Sequence, residues 1–264
     1  MTNLRTNAEV VAHNRRAWDL EVEGGNEWTI PVSAEEITRA RQGDWSVVLI
    51  GHEPVSRSWF PDEMTGHDIL CLASAGGQQG PALSAAGANV TVFDNSPGQL
   101  SRDSEVAERE GLSLKIALGD MRNLSEFADG SFDMVFNPVS NLFCPELAPV
   151  WAECHRVLRT GGTLLVGFMN PDLYIFDQEL MEKQDELVVR HSLPYSDVTD
   201  ISAEEREKAW GADSPLEFGH TMASQVGGQL AAGFAITDFA EAPHHANATA
   251  KYMPGYYATR AVKL

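Results

Sequence analysis

One stretch constrains the fold of this chain more than any other: Asp68 to Ser96, DILCLASAGGQQGPALSAAGANVTVFDNS. Asp68 to Leu72 is a short apolar run, and Ala73 to Gly80 is dominated by small residues. Pro81 to Ala86 is compatible with helix, and Asn89 to Phe93 returns to β-branched and aromatic residues. The order is strand, glycine-rich turn, helix, strand, acid. Such a unit points backbone N–H groups from a helix N-terminus at a ligand and sets a carboxylate, Asp94, at the end of the next strand. That pairing suits a ligand carrying a ribose.

The rest of the chain repeats and then departs from this alternation. Ahead of it, Asn7 to Leu20 has helical spacing, Glu21 to Val32 reads as loop, and Ser33 with Glu36 forms a capping box for a helix to Gln42. Trp45 to Ile50 reads as a short strand, and Pro54 to Gly66 as an aromatic, proline-marked linker packed on the core. Behind it, Ser96, Pro97 and Gln99 give an N-cap, a first-turn proline and a second capping box for a helix ending at Glu110 before Gly111. Strands follow at Leu114–Ala117, Phe132–Asn137 and Gly162–Phe168, with a helix at Glu146–Leu158. Regular alternation implies a parallel sheet with right-handed crossovers and helices on both faces.

After Asn170-Pro171 the pattern changes. Asp172 to His191 reads as helix, His191 to Asp200 as loop, and Ser202 with Glu205 caps a helix near Trp210. An insertion at a strand's carboxyl end sits where open α/β sheets bind ligands, so 172–219 reads as a substrate cap, the alternative being a packing elaboration. A helix at Ser224–Ala232 and strands at Phe234–Ala240 and Tyr256–Val262 complete the chain. Without a crossover helix between them, those last two strands must run antiparallel. The expected division is 1–66 as an N-terminal helical lid and linker, 67–171 as an α/β core, 172–219 as the cap and 220–264 as the remainder of the core.

Charge and cysteine usage exclude several functions. The 264 residues include 19 Lys and Arg against 38 Asp and Glu, a formal net charge of −19, and such a surface repels nucleic acid and anionic lipid. Cys71, Cys144 and Cys154 are odd in number and lack paired ligand spacing, which argues against a disulfide framework or zinc site and fits a reducing cytoplasm. The polar N-terminus is unlike a signal peptide, and no apolar run approaches a membrane span of about 18 residues. His244-His245 lacks a spaced partner, so no metal is expected.

Two families match the opening stretch. Ala75-Gly76-Gly77-Gln78-Gln79-Gly80 is A-x-G-x-x-G, which with Asp94 fits a nicotinamide-dependent oxidoreductase. Later motifs favour another: Gly119-Asp120-Met121 after the third strand, Phe132-Asp133 opening the fourth, Arg156 to Gly162 before the fifth, and a terminal antiparallel strand. Together these resemble the class I S-adenosylmethionine-dependent methyltransferases, especially the small-molecule enzymes called methyltransferase type 11. The resemblance covers Asp68 to Asn170 closely and the last two strands loosely.

That resemblance implies a doubly wound α/β fold: a mostly parallel seven-stranded sheet with the last strand antiparallel, elaborated by N-terminal helices and an inserted helical cap. It implies S-adenosylmethionine across the carboxyl ends of the first strands. The run Ala73, Ser74, Ala75, Gly76, Gly77, Gln78 occupies the glycine-rich first motif near the methionine part. Asp94 matches the acid that accepts both ribose hydroxyls, with Asn95 and Ser96 beside the adenine and Gln99 close behind. Gly119, Asp120 and Met121 match the adenine-flanking segment, and Asn137, Pro138 and Val139 lie under the methionine portion. The chain departs from the family in having Cys71 where an acid is usual, and Ala73 and Ala75 where glycines are usual. Alanine is strained at positive φ, so the turn either uses ordinary dihedrals there or seats the cofactor differently.

Methyl transfer is expected to a small-molecule acceptor, by a monomer or homodimer. Tyr195 and His220 are the candidate catalytic residues, the alternative for His220 being a capping or surface histidine, which its place just before a helix favours slightly. Asp197 and Glu217 are pocket candidates or solvated loop acids. Asn14 and Trp18, about one turn apart on the first helix, either close over the cofactor or simply pack. A third reading, beside the oxidoreductase, is a non-catalytic nucleoside-binding protein on this scaffold.

Overall fold

The computed structural model describes residues 6–244, 246 and 248–264. The apolar run Asp68–Leu72 forms β1, buried on both faces, with Ile69 and Cys71 entering one core and Leu70 and Leu72 the other. Period-two alternation therefore feeds two helical layers, as a doubly covered strand requires. Helix α1 (Asn7–Gly24) and α2 (Ala34–Arg41) precede it, each opened by a capping box, Thr6 with Glu9 and Ser33 with Glu36. Helix α1 runs to Gly24, past the expected end at Leu20, until Gly25 terminates it in the left-handed region.

Next come α3 (Gln79–Ala85), β2 (Asn89–Asp94), α4 (Pro97–Glu110), β3 (Leu114–Leu118), β4 (Phe132–Asn137), α5 (Ala148–Val157) and β5 (Leu158–Met169). The insertion contributes α6 (Gln178–Gln184), β6 (Tyr195–Ser196), α7 (Ala203–Trp210) and β7 (Phe218–Gly219); α8 (Gly228–Ala231), β8 (Phe234–Pro243) and β9 (Pro254–Lys263) finish the chain. The seven-stranded sheet has the order β3-β2-β1-β4-β5-β9-β8. Strands β1 to β5 pair in parallel, and β9 runs antiparallel to both of its neighbours. The expected fold class holds. One face carries α2, α3 and the 45–64 segment; the other carries α5 around the fully buried Trp151.

Several expected elements differ. Trp45 to Ile50 is not a strand: its alternating Trp45, Val47 and Leu49 are buried against the sheet face, and its only ladder contact is the Val48–Pro54 bridge. Gly167 admits this segment, since a Cβ there would stand 2.1 Å from the Leu49 carbonyl oxygen. Strand β5 starts at Leu158 rather than Gly162, because Leu158 pairs with Phe132 before Arg159–Gly162 bulges out and Thr163 resumes opposite Met134. The region 172–191 is helical only at Pro171–Ile175, a 3-10 turn, and at α6, which Asp185 ends at φ 59°. Ser224–Ala232 is a π turn at Ala223–Gly227 followed by the short α8, wrapped on Trp151, whose indole N–H donates to the Ser224 carbonyl at 2.9 Å. Ser96 caps α4 as expected. The reciprocal half of its capping box is not made, because Gln99 turns its side chain toward the carboxyl ends of the strands.

Candidate active site

The carboxyl ends of β1, β2 and β4 and the loop after β3 open onto a cavity of about 290 Å³. This volume is at the lower end of the range for ligand pockets. Its floor is the turn after β1. Ala73 keeps the left-handed conformation at φ 47° despite its side chain, a cost of roughly 1–2 kcal/mol. Of the two ways foreseen to relieve that strain, ordinary dihedrals are used at Ala75 and not at Ala73. Gly76 and Gly77 follow at φ 118° and 76°, and their N–H groups donate to one oxygen of Asp103 at 2.9 and 3.0 Å. Asp103 comes from α4 and is fully buried; desolvation pushes it up to about 7, against the pull of those two N–H groups. Gly76 and Gly77 thus face Asp103 and the 28–31 loop rather than the cavity.

Asp94 stands at the end of β2 with its carboxylate on the cavity wall. One oxygen accepts the Ser96 N–H at 2.9 Å and the other the Ala75 N–H at 3.3 Å. Burial nevertheless raises it to about 6. Ser74 Oγ and Gln99 Oε1, both from cavity-lining residues, are buried without a hydrogen-bond partner. Asn95 lines the cavity, but its amide donates to the Val11 carbonyl at 2.9 Å and accepts from Arg15 at 3.0 Å. Asp120 lines it too, with both carboxylate oxygens engaged by the Arg122 guanidinium, the shortest contact being 2.6 Å. Gly119, Met121, Pro138, Val139, Ala73, Ala75 and Gln78 also border it. Ser96 and Asn137 do not. Ser96 Oγ donates to Asp19 at 2.6 Å, and Asn137 ties the Leu72 carbonyl to Ser140 behind the wall.

Helix α1 forms the roof. The Asn14 amide donates to the carbonyls of Phe143 and Leu216 at 3.0 and 3.1 Å and accepts the Leu216 N–H at 2.7 Å, so it pins α1 to the loop after β4 and to the insertion. Trp18 meets Phe143 edge-on at 5.1 Å. Both border the cavity, as does Glu217 from the insertion. The Tyr174 hydroxyl donates to Glu217 Oε2 at 2.7 Å.

Tyr195, His220 and Asp197 lie outside the cavity lining. Tyr195 is buried, stacked on Tyr174, and donates to Asp197 at 2.7 Å. The His220 ring nitrogen Nε2 lies 2.8 Å from the Cys144 carbonyl and 3.2 Å from that of Asn141, an arrangement that makes it the donor and fixes the loop after β4. Desolvation lowers its pKa, against the pull of those two carbonyls. Asp197 accepts the Glu217 N–H at 2.9 Å and pairs with Arg206 at 3.2 Å, which orients Glu217 from behind. Of the His244-His245 pair, His244 stacks on Tyr256, and His245 lies outside the described residues.

A family model described as a methyltransferase domain matches residues 70–166. The uncharacterized methyltransferase YbaJ of Bacillus subtilis is 46% identical over 255 residues, spanning 97% of this chain and 99% of that protein. The chain belongs to the methyltransferase family. The sterol 24-C-methyltransferase erg-4 of Neurospora crassa is 38% identical to this methyltransferase over 101 residues, which are 36% of this chain and 26% of that one. Among solved structures, an S-adenosylmethionine-dependent methyltransferase from Mesorhizobium loti superposes with a TM-score of 0.60 at 18% identity, covering 78% and 95% of the two chains, and so shares the fold.

The methyltransferase's cavity fits S-adenosylmethionine by its donor set. Asp94 offers carboxylate lone pairs suited to a ribose diol, and Ser74 and Gln99 add polar side chains to the lining. Asp120 fits less well, its acceptor capacity being held by Arg122. The pattern in the sequence did not reveal Trp28, Ile50, Arg122, Met169 or Tyr256 of the methyltransferase's cavity. Trp28 and Ile50 belong to segments placed by long-range packing, which local periodicity does not report. Asp103 was findable: with Gln99 and Val106 it falls on the buried face of α4 at helical spacing.

Proposed function

We propose that the methyltransferase moves the methyl group of S-adenosylmethionine to a small-molecule acceptor by in-line displacement. The observation carrying this reading is that a single cavity joins Asp94, the ribose acid, to Glu217 of the insertion, with α1 roofing both. When bound, S-adenosylmethionine supplies an electrophilic methyl on a sulfonium. The protein's part is to hold Asp94, the Ala73–Ala75 turn and the cap in fixed relation, since a near-attack geometry contributes about 7–11 kcal/mol. On this reading 172–219 is the substrate cap and 1–66 the lid and linker, and cap and lid together exclude water.

A nicotinamide dinucleotide fits poorly. Its pyrophosphate needs the N–H groups of the glycine turn, and here Gly76 and Gly77 spend theirs on Asp103. Calorimetry with the native protein is expected to show 1:1 binding of S-adenosylhomocysteine and none of NADH. NADH binding in its absence would replace this reading with an oxidoreductase.

A further inference from the structure

Glu217 is an unusual wall residue. Besides polar residues such as Asp94 and Asn95, the cavity it borders is lined by apolar and aromatic side chains, among them Trp18, Leu142, Phe143, Met169 and Tyr256. Among the described residues no Lys, Arg or His lies within ion-pair distance of it: Arg206, the nearest influence of positive sign, is bound to Asp197 and to the carbonyl of Pro215. Oε2 takes the Tyr174 hydroxyl; Oε1 has no hydrogen-bond partner among the described residues and is not sealed. A carboxylate held in an apolar wall without a cation carries an uncompensated desolvation cost, which a cationic ligand offsets. Aromatic rings in the same cavity wall favour a cation further, and a net charge of −19 draws cations to the protein.

We propose that Glu217 is the proton acceptor of the reaction and that the acceptor is a small amine with an apolar body, its nitrogen held at Oε1. The proposal rests on the reading of the cavity as the S-adenosylmethionine site. The bound ammonium gives one N–H proton to Oε1, and the freed nitrogen pair forms the new bond to the methyl carbon. The carbon–sulfur pair leaves with sulfur, which becomes a neutral thioether. One ammonium, one carboxylate and one sulfonium thus become a methylated ammonium, a carboxylic acid and a thioether, with charge conserved.

The groups facing Glu217 set its working range. Burial, then Asp197, push it up to about 8, with Glu182 adding to this and the Tyr174 hydroxyl and Arg206 opposing. Tyr195 stacks on Tyr174, and Tyr256 on β9, also in the cavity lining, is itself raised to about 12 by burial, Glu217 and Glu27. The carboxylate form is the active one, so amine binding and turnover should rise with pH through about 8.

The test uses arylalkylamines such as 2-phenylethylamine, each beside its alcohol counterpart, titrated by calorimetry into protein saturated with S-adenosylhomocysteine and assayed for methyl transfer. Amines are expected to bind at least about tenfold tighter than the alcohols. Glu217→Gln, which keeps an acceptor for Tyr174, should erase that preference and the pH limb and lower kcat/KM about 10²–10⁴-fold. Its affinity for S-adenosylhomocysteine and S-adenosylmethionine should stay unchanged. Amines neither bound nor methylated, or full activity in Glu217→Gln, would overturn the proposal. So would weakened cofactor binding in that variant, which would make the carboxylate a counterion of the cofactor. Failure of the native protein to bind S-adenosylhomocysteine is a separate result and defeats the underlying reading instead.

Discussion

Asp94→Ala weakens S-adenosylhomocysteine binding by at least about 10²-fold, measured by calorimetry at pH 7.5. The size follows from two ribose hydroxyls donating to one carboxylate, at about 1.5–3 kcal/mol for each charge-assisted bond. The sum of about 3–6 kcal/mol corresponds to roughly 10²–10⁴ in affinity. Asp94→Asn keeps one carbonyl oxygen and falls between. The carboxyl titrates at about 6 in the free site, raised by burial against the N–H groups of Ser96 and Ala75. Protonation removes the acceptor the ribose needs, so native affinity declines as pH drops through 6, whereas Asp94→Asn shows no such limb. A decline of equal depth in Asp94→Asn would place the titrating group elsewhere.

Asp103→Ala lowers stability by about 2–6 kcal/mol, because two buried N–H groups lose their acceptor at about 1–3 kcal/mol each. For a chain of this size about 2–4 °C of Tm accompanies each kcal/mol, so the melt shifts by roughly 10 °C. Asp103→Asn behaves differently. It retains an oxygen for Gly76 and Gly77 and removes a buried charge. The folded-state pKa, about 7, is raised above the usual carboxylate value, so the native state holds a proton that the unfolded chain has released. Stability from this group is therefore highest below about pH 4 and is lost as pH rises through 7. Thermal melts from pH 5 to 8 should show a shallower decline for Asp103→Asn than for the native protein, with Asp94 and Glu217 supplying the remaining slope. Parallel declines would contradict the assignment.

The alternation from Asp68 to Phe168 was legible because each strand and helix there carries its own periodicity and its own terminators, Ser96 and Gly111 among them. The Trp45–Ile50 segment misled for a physical reason: alternating apolar residues report a buried face, and here Trp45, Val47 and Leu49 are buried in the core while the Leu49 backbone passes over Gly167 of β5 without a ladder to it. The insertion was legible as an interruption, and only its Ser202–Glu205 capping box gave a helix correctly. Within the site, residue type identified Asp94 and Glu217 as candidates. Chain pattern alone did not show that Tyr195 and His220 face away, since which side of a loop points inward is decided by partners such as Asp197 and the Cys144 carbonyl. The usual acid of the first motif is Cys71 here, yet a carboxylate does reach the turn, from Asp103 on α4 rather than from β1. A reading confined to the motif could not find it.

On the proposed function, Asp94 receives the ribose of S-adenosylmethionine in the cavity that Glu217 also borders. A co-crystal structure with S-adenosylhomocysteine tests it most directly. The expected result has both ribose hydroxyls on the Asp94 carboxylate and the sulfur side of the ligand toward Glu217. A nucleoside bound away from Asp94, or with its ribose turned to the Gly76-Gly77 turn, would contradict it.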